Sequence, residues 1–239
     1  MGLFSAPIRF FENYIRHACE DGRLRELPRP KRAWPAGSTL VLGGEMGCEL
    51  GNPAIGSAFA IVWSGSQNIG QGRVWLAGPD LAELKSDSAP FGMFLLLRAF
   101  IRKNEYECYV RARDAIGDLK LNGLTMRILP ARQSAWCRVG RERLKRECGF
   151  AEWGGAVLKI VRRLDFVRGA DVLFVSERGP EWDELTQVAR QAGQIIGALK
   201  KMSEEKHFDC EGCDYAEICE AVEEMRKIRS RLIKESTHA

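Results

Sequence analysis

The sequence predicts an α+β fold: a mixed, largely antiparallel sheet with helices packed on it, most of them from the C-terminal half. Three observations predict it. Between residues 38 and 139, short runs rich in aromatic and branched side chains are separated by Gly, Pro, Asn and Asp, the punctuation of strands. From residue 141 the apolar spacing changes to the helical period. Strands come first and helices follow, rather than alternating as in a parallel βαβ fold. The chain has 239 residues, of which 45% are hydrophobic, enough to bury the core of one large domain or two small ones.

The elements follow in order. Residues 7–20 place Ile8, Phe11, Tyr14, Ile15 and Ala18 on one helical face, and Gly22 ends that helix. Pro28, Pro30 and Pro35 make 27–37 a linker or irregular arm. Strands are expected at 39–42, 58–63, 73–77, 91–101, 107–113, 125–129 and 135–139. In 105–113 alternation puts Tyr106, Cys108, Val110 and Ala112 on one side and charges on the other, the pattern of a half-buried antiparallel strand. Residues 141–148 read as a short helix stopped by Gly149, and 153–167 as a helix burying Val157, Ile160, Val161 and Leu164. The apolar run 171–176 is a central strand. Pro180 suits the first turn of a long helix, 181–202, with Leu185, Val188, Ala192, Ile196 and Leu199 inward. A charged helix closes the chain at 218–233. The expected organisation is an N-terminal helix and Pro-rich arm (1–37), the α+β domain (38–205), and a cysteine motif with its helix (206–239).

A formal net charge of +4 is too small to argue for nucleic acid as a partner. Segments 9–32, 138–146 and 159–168 are basic, and 204–224 is acidic. The first reads as a solvated helix face with Arg stems on apolar surface. For 138–146 a solvated face and an anion-attracting one are both open. No apolar run reaches membrane-spanning length, and the start does not read as a signal peptide. Met1-Gly2-Leu3-Phe4-Ser5-Ala6 has Ala where an N-myristoylation signal needs Ser or Thr. These features predict a cytoplasmic protein with no membrane association, in which eight cysteines are reduced thiols, some buried and some metal-binding.

The main chemical clue is Cys210, Cys213 and Cys219, spaced C-x2-C-x5-C. A short turn brings the first two sulfurs to one side, and the third can close over the same centre if Cys219 opens a helix. The acidic residues around them would face solvent, since an anionic cluster gains nothing from carboxylate neighbours. Zinc sites and iron–sulfur clusters both prefer four ligands. The fourth could be Cys48, Cys148, Cys137, Cys19, Cys108, His207 or a small molecule, and spacing alone leaves an iron–sulfur cluster and zinc both open. The plainer alternative is three unrelated thiols near a tail.

Other segments carry less. Residues 43–53 hold repeated glycines, but neither a dinucleotide fingerprint nor a P-loop is present, and a tight irregular connection is expected there. Gly78-Pro79-Asp80 is a turn signal. Trp136 and Arg138 put an indole beside a guanidinium, suited either to coenzyme A or another adenine nucleotide, or to a core Trp ahead of a basic helix. With only His17, His207 and His238 in the chain, no Ser–His–Asp or Cys–His constellation suggests itself.

Taken in order, Glu49-Leu-Gly-Asn-Pro53, Gly78-Pro79-Asp80, Pro90-Phe91-Gly92, Trp136-Cys137-Arg138-Val139 and Cys148-Gly149-Phe150 resemble the acetyl-CoA synthase β subunit of the carbon monoxide dehydrogenase complex, and more closely small stand-alone relatives of it. The resemblance spans about residues 41–219. It implies an α/β middle domain that contacts coenzyme A, here through Trp136 and Arg138. It also implies a 4Fe–4S cluster whose first ligands are Cys210 and Cys213, with Cys219 similar to the third at shorter spacing. The family's fourth cluster cysteine and its Cys-Gly-Cys nickel segment have no counterpart before Ala239, so complete synthase activity is not expected. The resemblance implies an iron–sulfur accessory, electron-transfer or partner-binding protein in anaerobic one-carbon or corrinoid-linked metabolism. A zinc-clipped interaction module without redox activity is the alternative.

Overall fold

The computed structural model describes residues 2–37, 40–101, 104–145, 148–203 and 216–237. In chain order the elements are α1 (Ser5–Glu20), β1 (Leu24–Leu27), β2 (Met46–Leu50), β3 (Ser57–Ser64), β4 (Val74–Ala77), β5 (Ser88–Ala89), β6 (Phe91–Ala99), α2 (Glu105–Gly117), β7 (Leu124–Leu129), β8 (Ser134–Gly140), α3 (Arg141–Lys145), α4 (Phe150–Val161), β9 (Val167–Val175), α5 (Trp182–Ser203) and α6 (Ala216–Thr237). Helices pack on two mixed sheets, which makes the fold α+β.

One sheet runs β1-β4-β9-β6-β3, the other β5-β2-β8-β7. In the first, β4 is parallel to β9 and β3 to β6, while β1–β4 and β6–β9 are antiparallel. In the second, β8 is antiparallel to β2 and β7, and the short β5 is parallel to β2. The sheets join where β3 and β8 begin. Phe59 N donates to Gln133 O at 2.7 Å, and Ser57 Oγ donates to Ala135 O at 2.6 Å.

The central strands β6 and β9 are almost continuously apolar because both faces are covered. Phe91 and Phe94 lie three residues apart on β6 and so face opposite ways. On one side Phe91 and Phe174 meet Trp153 of α4 at ring separations of 5.3 and 5.1 Å. On the other Phe94 meets Phe11 of α1 at 5.1 Å. Gly154 lets α4 approach closely, since a Cβ there would stand 2.6 Å from Val74. The N-terminal 1–37 stretch contributes Phe4, Ile8, Phe11 and Leu24 to this same core. Each such aromatic or aliphatic side chain adds about 1.5–3 kcal/mol when buried.

One buried charge anchors the first sheet. Asp171 of β9 is fully enclosed and accepts from Gly70 N (2.9 Å), Gly72 N (2.8 Å), Arg73 N (2.8 Å) and Arg73 Nη2 (3.1 Å). Gly70 and Gly72 have φ of 76° and 88°, a left-handed backbone that turns their N–H groups onto the carboxylate.

Several expected boundaries change. Residues 107–113 are helix, not strand: α2 begins at the Asn104 cap, whose side chain accepts from Glu107 N at 3.2 Å. Its buried stripe is Glu105, Tyr109, Ala112 and Ile116, a spacing that a nine-residue window cannot separate from alternation. Residues 40–42 form no strand, and Leu40 and Leu42 are exposed. The glycine-rich 43–53 stretch holds β2, with an irregularity between Met46 and Cys48. Gly47 sits at that irregularity because a Cβ would stand 2.7 Å from Arg141 Cα. α4 begins and ends earlier than expected, and β9 starts at Val167.

Candidate functional site

Cys210 and Cys213 lie outside the described residues. Cys219 is partly buried in the first turn of α6. One turn on, Val222 is buried, and α6 packs on α5. Val222, Met225 and Ile228 share a cavity of about 510 Å³ with Leu3, Trp63 and Ile101, which places α6 beside the last residues of β3. Among the described residues no three His, Cys, Asp or Glu side chains gather into a group able to hold a metal.

Cys48 sits elsewhere. It points from β2 into the core between the sheets, 1% exposed. Burial first, and then the Asp87 charge, push its thiol up to about 12. Cys137 beside it is raised by the same burial and by Cys48 itself. The strand end after Cys48 meets the start of β3, where a Cβ on Gly51 would stand 3.1 Å from Ser57 Oγ. α6 meets the other end of β3, roughly 23 Å away along an eight-residue strand. The fold therefore does not bring Cys48 to Cys219. Burial also raises Cys19 and Cys108 above the ordinary thiol value.

Trp136 and Arg138 do come together, on the outer face of the second sheet. β8 alternates, with Ala135, Cys137 and Val139 buried and Trp136 and Arg138 turned outward. Register sets Glu49 of β2 opposite Arg138 and Arg127 of β7 opposite Trp136. Trp136 Nε1 donates to Glu49 Oε1 at 2.9 Å, and Arg138 Nε stands 3.6 Å from the same oxygen. The Arg138 guanidinium lies 4.5 Å from the indole centroid and that of Arg127 5.8 Å. Asn52 Nδ2 donates to Glu49 Oε2 at 2.9 Å. One carboxylate thus orders an indole, an amide and one guanidinium, while Arg127 adds an exposed positive charge at the edge. The cluster can offer cation–π and charge contacts to an anionic aromatic ligand.

The remaining motif segments meet through Asp80. Its Oδ1 accepts from Leu81 N at 2.7 Å and from Phe150 N at 2.9 Å, so the Gly78-Pro79-Asp80 turn caps α4 just after Cys148-Gly149. Glu83 Oε2 accepts from Asp80 N at 2.7 Å. Phe91 of Pro90-Phe91-Gly92 stacks on Phe150 at 6.3 Å. The sequence reading missed Glu49 and Asp80 as organising carboxylates. The Asp80-x-x-Glu83 spacing was a readable cap signal. The partner of Trp136 was hidden because β2 read as a loop.

No family model matches the chain, and no curated protein matches it. No helix of the described residues is long and apolar enough to cross a membrane.

Proposed function

We propose that this chain is a cytoplasmic iron–sulfur protein. In this reading Cys210, Cys213 and Cys219 hold a 4Fe–4S cluster. The single observation that carries the reading is the C-x2-C-x5-C spacing, which ends in the first turn of a helix docked on the folded body. The donors are soft thiolates, the set such clusters take, and the positive end of a helix favours an anionic centre. Cys48 lies in the core near the start of β3, the end away from the one α6 meets. A non-cysteine group or exogenous molecule fits the fourth position better. The resemblance to the acetyl-CoA synthase β subunit makes the role an accessory one, in electron transfer or partner binding within anaerobic one-carbon or corrinoid-linked metabolism. The Trp136–Arg138 face is the contact for coenzyme A or a protein partner.

Anaerobic isolation followed by iron and acid-labile sulfide analysis tests this. The expected result is brown protein with iron and sulfide in equal amounts, both lost in Cys213→Ser. Colourless protein holding zinc would reject it in favour of a zinc-clipped interaction module.

A further inference from the structure

A cavity of about 490 Å³ opens between residues 40–45, the Asn122-Gly123 turn and the first residues of α3. Arg143 lines it and is only 8% exposed. Gly123 makes room for that side chain: φ there is 70°, and a Cβ would stand 2.8 Å from Arg143 Cγ. Gly140 N donates to Gly123 O at 2.7 Å, which ties the turn to the end of β8. Among the described residues the Arg143 guanidinium has no hydrogen bond and no ion pair. An arginine keeps its charge, so burial cannot be relieved by loss of a proton. A buried charge without a partner is costly, and an anion in the cavity would offset that cost.

Three other charged groups line the cavity, and they set the charge of its ligand. Arg141 is exposed, and at two residues from Arg143 on α3 it does not converge with it. Glu45 is exposed, and its Oε2 accepts from Leu42 N at 3.4 Å. Glu142 is exposed beside Arg143 in sequence, and consecutive helical residues do not face each other. Neither carboxylate pairs with Arg143. Both repel a second negative charge, so a ligand bearing one carboxylate suits the cavity better than a phosphate dianion.

The glycine loop points to the same ligand. Neither Gly43 nor Gly44 has a positive φ, and a Cβ on either would meet nothing within 4 Å. Neither the backbone nor the packing of the chain itself therefore demands glycine at these two positions. Gly44 lines the cavity, and a bare backbone there lets a ligand approach closely. Leu40, 65% exposed, lines it too and offers an apolar contact beside the buried cation.

From these observations we infer that the cavity binds a small monocarboxylic acid, its carboxylate forked by the Arg143 guanidinium and its apolar body set against Leu40 and the Gly44 backbone. A guanidinium–carboxylate fork makes two parallel N–H···O bonds and satisfies both partners. The volume lies in the range of small-molecule sites. Trp136, Arg138, Arg127, Glu49 and Cys219 do not line the cavity, so the inference stands apart from the proposed cluster and from the coenzyme A face.

The test is titration of the isotope-labelled full chain with hexanoate, hexanamide and inorganic phosphate, read from the amide signals of Gly44 and Gly123 and from the thermal unfolding midpoint. The expected result is that millimolar hexanoate shifts both signals saturably and raises the midpoint. Hexanamide should bind at least about tenfold more weakly, as loss of a charge-assisted fork implies, and phosphate more weakly than hexanoate. Arg143→Met keeps the stem and removes the charge. It should abolish the hexanoate shifts while holding or raising the midpoint without ligand, because the charge it removes has no partner in the fold. Gly44→Leu fits an open, unstrained backbone position, and should block hexanoate with the fold intact, a test independent of Arg143. No saturable shift with hexanoate, equal affinity for hexanamide, tighter binding of phosphate, a lowered midpoint in Arg143→Met, or undiminished binding in Gly44→Leu would each overturn it.

Discussion

Replacing Asp171 with Asn removes the one charge buried in the centre of the first sheet while preserving its shape. In the native chain the carboxylate accepts three backbone N–H groups and one guanidinium N–H, all within 3.1 Å. An amide keeps one acceptor oxygen and turns an NH₂ toward donors. Two of the four hydrogen bonds are then lost, and bonds to a charged acceptor contribute about 1.5–3 kcal/mol each. The expected loss is about 3–6 kcal/mol, a large share of the roughly 5–15 kcal/mol that holds an ordinary domain together. Urea unfolding followed by tryptophan fluorescence reads it as a fall in the midpoint with unchanged slope. A loss below about 1 kcal/mol would refute the claim that Asp171 pins the Gly70–Arg73 turn.

Asp80→Ala removes the cap of α4 and should cost about 1–2 kcal/mol in the same assay, because Phe150 N loses its acceptor. Glu49→Gln leaves the fold intact but loosens Arg138 from Trp136, and should change tryptophan emission with less than about 1 kcal/mol lost. Stability should fall as pH rises above the ordinary thiol value of 9.0: the unfolded chain ionises Cys48 there, while in the fold the thiol stays protonated until about 12. The stabilising contribution is therefore complete below pH 9 and lost above it, and Cys48→Ala should flatten the slope of urea midpoint against pH. Under brief iodoacetamide treatment exposed Cys19 should label, while Cys48 and Cys137 stay protected until unfolding.

Much of the fold was legible because its signals are local. β3, β6, β7 and β8 are bounded by turn residues, and the 3.6-residue stripe of α5 runs long enough to exclude a strand. α2 was misread because Tyr106, Cys108, Val110 and Ala112 also satisfy a period of two over nine residues. Only Asn104 at its start and Ile116 beyond the window separate the two patterns. β2 was hidden by glycines that serve packing: Gly47 admits α3, and Gly51, with φ of 73°, fits against Ala135. The outward pairing of Trp136 with Arg138 follows from alternation along β8, but Glu49 reaches them only through cross-strand register, which depends on contacts far apart in sequence. The cysteine spacing was legible as chemistry, while Cys210 and Cys213 fall outside the described residues.

The proposal that Cys210, Cys213 and Cys219 share one inorganic centre is tested by X-ray absorption at the iron edge of anaerobically isolated protein. The predicted spectrum shows sulfur neighbours and iron–iron scattering, both lost in Cys219→Ser. Absence of iron, or zinc bound by sulfur with no metal–metal scattering, would contradict it.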